Sequence, residues 1–134
     1  MVEGVNSEEL ERIKAVAQQV RAEFESGRAY TQRLADLYKE YDSDSDRVSR
    51  FIAAAKATFP FGNCELTTLA LQDRLKMGDL AYCYYYYTPE DSEFHTVLLI
   101  GGLRGVIVDV TADQFPGGPK IYVGPVREPW FLRV

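Results

Sequence analysis

Three residues in the second half of the chain have the types and the order of a covalent catalytic site: Cys64, His95 and Asp109. A thiolate attacks an acyl carbonyl, an imidazole takes the thiol proton and returns it to the leaving group, and a carboxylate holds the imidazole in its working orientation. Cys64 follows Phe61-Gly62-Asn63 and opens a run of helical character from Cys64 to Met77. His95 begins the apolar run His95-Thr96-Val97-Leu98-Leu99-Ile100, and Asp109 ends the run Gly105-Val106-Ile107-Val108-Asp109. The chain has one histidine, so a general base of this kind has no other candidate.

The thiolate is the nucleophile, and two devices favour it: the positive end of a helix and a neighbouring imidazolium. The pattern offers both, with Cys64 in the first turn of a helix and His95 on a strand whose hairpin partner carries Asp109. Backbone N–H groups at a helix start also suit a developing oxyanion. The Cys64 N–H is one such donor. The Asn63 side chain is a second, unless it caps the helix instead. Gly62 removes bulk where a substrate backbone would approach. Gln114 is a further candidate to touch an oxyanion or substrate. Asp113 would replace Asp109 as the orienting acid under a different strand register, and either residue could simply cap a turn. Each residue also has an ordinary reading. A lone cysteine is commonly a small buried hydrophobe, and an aspartate ending a strand commonly caps a turn. Cys83, inside Ala81-Tyr82-Cys83-Tyr84 with no helix end near it, reads as a core or sheet-face residue.

The elements that must position these groups fall into two halves. Asn6 with Glu9 is a capping pair, and Leu10, Ile13, Ala17, Val20 and Phe24 then recur at helical spacing up to Gly27. Tyr30, Leu34, Leu37, Tyr38 and Tyr41 mark a second helix. Val48, Phe51, Ile52 and Ala55 mark a third, entered through Asp42-Ser43-Asp44-Ser45-Asp46 and closed by Phe59-Pro60-Phe61-Gly62. The fourth helix carries Cys64 and stops before Gly78. Strands follow over 80–87, 94–100 and 103–110, the last two joined by Gly101-Gly102, with a short one over 121–124 and an edge strand in the tail 126–134 around the only tryptophan, Trp130. The tyrosine run 84–87 should place aromatic rings on both faces of its strand, one buried and one free to line a groove. The expectation is one α+β domain over 1–134, with helices in 1–58 and the Cys64 helix packed on an antiparallel sheet in 59–134.

Composition narrows the function classes. A net charge of −5, without a Lys/Arg stripe, argues against a nucleic-acid surface. The apolar runs are strand-length, which argues against membrane spans, and no basic-then-apolar leader is visible. Two cysteines are compatible with a reduced, cytoplasmic setting, with leaderless export as the alternative. One histidine and two separated cysteines give no zinc-ligand spacing, and the paired glycines are not followed by a phosphate-binding helix, so neither metal nor cofactor is expected. The acidic Glu90, Asp91 and Glu93 read as a solvated loop.

The residues Gly62-Asn63-Cys64, Leu69 and Leu75, His95 opening its strand, and Val108-Asp109-Val110-Thr111 together resemble the papain-like and transglutaminase-like superfamily. The stretch from Ile107 through Asp113-Gln114-Phe115 is similar to small bacterial papain-fold domains, several of them toxins or secreted effectors. The resemblance spans 61–115. It implies a papain-like arrangement of helix and sheet, with Cys64 as nucleophile, His95 as base and Asp109 as its partner. It implies peptidase or amidase activity on a protein or peptide, or deamidase or transglutaminase chemistry on the same triad, and, for a toxin, a cognate immunity protein. The chain departs from the family at Glu65, where relatives carry an aromatic residue, and in having no glutamine just upstream of Cys64. The reading from a different class is a non-catalytic immunity or adaptor domain that binds through the tyrosine-rich sheet.

Overall fold

Residues 5–133 are described by the computed structural model; the outer ends of the expected domain 1–134 and of the tail 126–134 lie outside the described residues. Asn6 accepts the Glu9 N–H at 2.9 Å and Glu9 answers to the Asn6 N–H, so helix α1 (Ser7–Glu25) starts at its capping box. Its buried face is Ile13, Ala17, Val20 and Phe24, joined by one charged residue, Arg21. Helix α2 (Gln32–Tyr38) is capped by Thr31 and α3 (Ser45–Thr58) by Asp44, each through a side-chain oxygen that accepts a first-turn N–H. Tyr30 and Tyr41, expected on α2, lie outside it. Helix α4 (Cys64–Leu75) stops short of the expected Met77 because Lys76 turns left-handed, at φ 58°.

Five strands, β1 (Asp79–Tyr86), β2 (Ser92–Ile100), β3 (Val106–Asp109), β4 (Tyr122–Pro125) and β5 (Trp130–Leu132), form one antiparallel sheet in the order β4-β3-β2-β1-β5. The described chain is therefore α+β, helices first and sheet second. Strand β3 is shorter than the apolar run suggests. Gly102–Arg104 form a 3-10 turn, and a side chain at Gly105 would put its Cβ 1.8 Å from the Ile100 carbonyl oxygen. The chain folds back so closely on the end of β2 that pairing begins only past Gly105.

The sheet has two apolar faces. Leu98, Ile100, Val106 and Val108 pack beneath α1 and α4 with Ile13, Ala17, Leu66, Leu71 and Leu75. The opposite face, Cys83, Tyr85, Val97, Ile107 and Trp130, is filled by Ala112 and Phe115 from the loop after β3. The sheet curls around this second core until its edges meet: Trp130 of β5 stacks on Tyr122 of β4, with ring centres 4.1 Å apart. No helix among the described residues is long and apolar enough to cross a membrane.

Candidate active site

Strand alternation decides which of the candidate groups can meet. Cys83 lies directly opposite His95 in the β1–β2 ladder, so the imidazole points toward the smaller core. The β2–β3 register pairs Leu99 with Ile107, which puts Asp109 on the same face, diagonal to His95 beyond the end of the ladder. The ring spans that diagonal. His95 Nε2 is 2.7 Å from Asp109 Oδ2, with both side chains sealed from solvent. Phe115 meets the ring edge-on at 5.0 Å and Tyr85 at 6.2 Å, which restricts its rotation.

The two oxygens of Asp109 have different tasks. Oδ1 accepts the Thr111 N–H at 3.0 Å, the local turn expected of an aspartate that ends a strand. Oδ2 accepts from His95 and from the indole N–H of Trp130 at 2.8 Å. A buried carboxylate left unpaired would be expensive; here its acceptors are met by four donors, the Thr111 hydroxyl at 3.5 Å among them, and one is a cation when the ring is protonated. Burial on its own would strip the proton from His95. The Asp109 carboxylate outweighs it by charge and hydrogen bond, the Cys64 side chain adds in the same sense, and the ring keeps its proton up to about 9.

With Nε2 committed to Asp109, Nδ1 is the nitrogen that the carboxylate leaves open. The Gln114 amide stands 3.1 Å from it. A neutral ring with its proton on Nε2 accepts there from the amide NH2. An imidazolium has a proton on both nitrogens and needs the amide turned, carbonyl oxygen to the ring.

Cys64 is the first residue of α4, half-buried, and its side chain acts on the His95 ring. The helix start above it is unusual in this chain. Helices α1, α2 and α3 each satisfy a first-turn N–H with a side-chain cap, and α4 does not. The first intrahelical bond is Thr67 N–H to the Asn63 carbonyl, so the N–H groups of Cys64, Glu65 and Leu66 have no partner within the helix. Gly62, at φ 74°, makes the turn into the helix, and nothing would stand within 4 Å of a Cβ there.

Asn63 serves neither role proposed from the sequence. It is fully buried, and its amide donates to the Ala55 and Phe61 carbonyls, both at 2.9 Å, while its carbonyl accepts the Tyr30 hydroxyl at 2.6 Å. No N–H of this side chain remains for an oxyanion, and it does not cap α4. Its task is to tie the loop before Cys64 to α3 and to Tyr30. Asp113 is not the orienting acid either; it forms a two-pronged ion pair with Arg21 of α1, at 2.6 and 2.8 Å. Cys83 sits in the small core, where burial pushes its thiol up to about 12, with Asp109 and Cys64 adding to the rise.

Cys64, His95, Asp109 and Gln114 thus form one cluster. Trp130 and Thr111 belong to it and were not singled out as site residues. Being the only tryptophan was the one available signal for Trp130, and Thr111 lies within the quoted Val108-Asp109-Val110-Thr111 run. Comparison with protein-family models, with curated proteins and with solved structures returns no match, so the cluster is interpreted from its own geometry.

Proposed function

We propose that this chain is a cysteine-dependent acyl-transfer enzyme of the papain-like and transglutaminase-like kind, acting on an amide or ester of a protein or peptide. The observation that carries the reading is the buried His95–Asp109 pair, its second ring nitrogen unclaimed by the carboxylate, beside a thiol at the uncapped start of α4. In the reacting form the thiol proton is on Nδ1. Cys64 Sγ bonds to the carbonyl carbon, and the carbonyl oxygen becomes an oxyanion facing the unpaired N–H groups of the α4 start. The intermediate collapses with cleavage of the carbon–nitrogen or carbon–oxygen bond, and the imidazolium passes its proton to the leaving amine or alcohol. Water, deprotonated by His95, then attacks the thioester and frees Cys64. Peptidase or amidase activity is this cycle with water as acceptor. Deamidation is the same cycle on a side-chain amide, and transamidation substitutes an amine for water.

Only the sulfur end of the triad approaches solvent, so the acyl group meets Cys64 at the surface with the ring behind it. The test is covalent. A p-nitrophenyl ester should acylate the protein once, at Cys64, seen by intact mass and peptide mapping; Cys64→Ala should not be acylated, and His95→Ala should be acylated far more slowly. Adding a primary amine then separates hydrolysis from transamidation. Acylation of wild-type protein with no dependence on His95 would remove the reading.

One observation favours a second reading, a binding domain. Tyr82, Tyr84, Tyr86, Phe94 and Phe131 are exposed on one face of β1, β2 and β5, and a groove of about 670 Å³ beside Tyr84, Tyr86 and Phe131 includes none of the triad. The partly exposed Cys64 beside the His95–Asp109 pair supports the catalytic reading as the leading one.

A further inference from the structure

Arg21 is a charged residue on the buried face of α1, only 5% exposed, and it touches none of Cys64, His95 and Asp109. Its guanidinium joins two loops that are far apart in sequence. Nη1 donates to the Val110 carbonyl at 2.9 Å and to Asp113 Oδ1 at 2.6 Å, and Nη2 donates to Asp113 Oδ2 at 2.8 Å. The plane of the same group lies over the Phe59 ring, 4.7 Å from its centre. Val110 follows Asp109, and Asp113 precedes Gln114, so the fork holds both ends of the segment that supplies the carboxylate and the amide of the site. Phe59 opens the loop 59–63 that delivers Cys64, and Asn63 locks the far end of that loop to Ala55, Phe61 and Tyr30.

We infer that Arg21 is a positioning residue of the acyl-transfer site, fixing the Cys64 loop and the Asp109–Gln114 loop against each other through one guanidinium. The inference rests on the Cys64–His95–Asp109 reading. A buried ion pair is a poor source of net stability, because desolvation offsets most of the attraction, and a well-packed apolar group of similar volume commonly does as well. What the pair adds here is geometry: two parallel hydrogen bonds set an in-plane angle, and the stacked ring sets the tilt. Lysine, a point charge with neither fork nor plane, can keep the charge but not the angle. The Nε atom is spent on neither loop; it has no hydrogen bond and lies 3.6 Å from Glu25.

The experiment uses the full chain with Arg21→Lys, Arg21→Gln, Asp113→Asn and the double variant Arg21→Lys with Asp113→Asn. Three quantities are read: the thermal midpoint, the rate of ester acylation at Cys64, and the 15N and 1H titration of the imidazole, unambiguous because the chain has one histidine. Arg21→Lys should fold, acylate about ten- to a hundredfold more slowly, and move the His95 titration midpoint, as a small displacement of reacting groups does. Asp113→Asn should reproduce those changes, and the double variant should add little to either, since both remove one fork. A lowered thermal midpoint with acylation rate and imidazole titration unmoved would overturn the inference and leave Arg21 purely structural. Loss of fold in all variants would overturn it too, by making the fork a requirement of folding. Failure of the triad reading is distinguishable: it appears in wild-type protein as no acylation at Cys64, and the inference then falls with it.

Discussion

The two cysteines of this chain are both placed near the same imidazole and have opposite fates. Cys83 faces His95 across the β1–β2 ladder, as close in register as two residues can be, and is sealed in the small core. Cys64 comes from a different element, is half-exposed, and stands where a helix leaves its first N–H groups uncapped. Burial pushes the Cys83 thiol up to about 12, so at neutral pH it stays protonated and inert. Proximity to a base is therefore not what makes a nucleophile. The proposed cycle also asks for access from solvent and donors for a developing charge, and of the two thiols only Cys64 is partly exposed and stands at an uncapped helix start.

The largest expected contrast is chemical. His95→Ala should slow acylation of Cys64 by a factor on the order of 10²–10⁴, the usual worth of a positioned general base. Cys83→Ala should leave the rate within a factor of about two or three, because that thiol takes no part in the proposed cycle. A stopped-flow ester assay reads both; a large loss on altering Cys83 would break the comparison.

The next effect is on stability. His95 has its proton affinity raised in the folded chain, so its contribution is complete below the unfolded-state value near 6.5 and is lost as pH rises through about 9. A shift of this size corresponds to about 3 kcal/mol. Urea unfolding at intervals between pH 6 and 9 should show stability falling across that window, and Asp109→Asn should flatten the slope. A flat profile in wild-type protein would mean that the ion pair is not formed. Above pH 9 the Cys83 thiol adds a loss of the same sign, since it ionises more readily unfolded than folded.

Cys83→Ala sharpens the comparison from the other side. Removing a buried sulfur from the core beneath Tyr85 and Trp130 should cost about 1–2 kcal/mol in unfolding free energy, by the usual cavity argument. Smallest of all, Trp130→Phe keeps an aromatic ring against Tyr122 and deletes one donor to Asp109, for about 1 kcal/mol of stability. Its informative readout is the imidazole: with one fewer donor on the carboxylate, His95 should hold its proton more tightly and titrate higher. A lower or unchanged midpoint would show that the indole hydrogen bond does not govern the charge on Asp109.

Much of this was legible locally. The Asn6–Glu9 capping box, the polar run Asp42-Ser43-Asp44-Ser45-Asp46 that caps α3 and the helix opening at Cys64 depend on residues a few positions apart, and each formed where the pattern put it. The run lengths of β1 and β2 were read to within one or two residues, because alternation and tyrosine content are properties of single strands. The misreadings at Asn63 and Asp113 involve partners distant in sequence, and that of strand β3 a close backbone approach the local pattern does not show. Strand β3 begins late because Gly105 is pressed on the Ile100 carbonyl. Asn63 is neither cap nor oxyanion donor because Tyr30 and Ala55 claim its amide. Asp113 is not the orienting acid because Arg21, on the first helix, holds it.

By itself, the sequence determined the inventory: one imidazole, two thiols, a carboxylate at a strand end, and the periodicities that make helices first and strands after. Those are short-range properties, set by backbone sterics, capping and side-chain alternation. Which thiol is sealed from solvent, which oxygen of Asp109 meets the ring, and that an indole from the last strand shares that oxygen were decided only when the sheet curled and its edges closed. Burial and hydrogen-bond geometry exist only between elements in space, and the chemistry of a thiol or an imidazole is set by them.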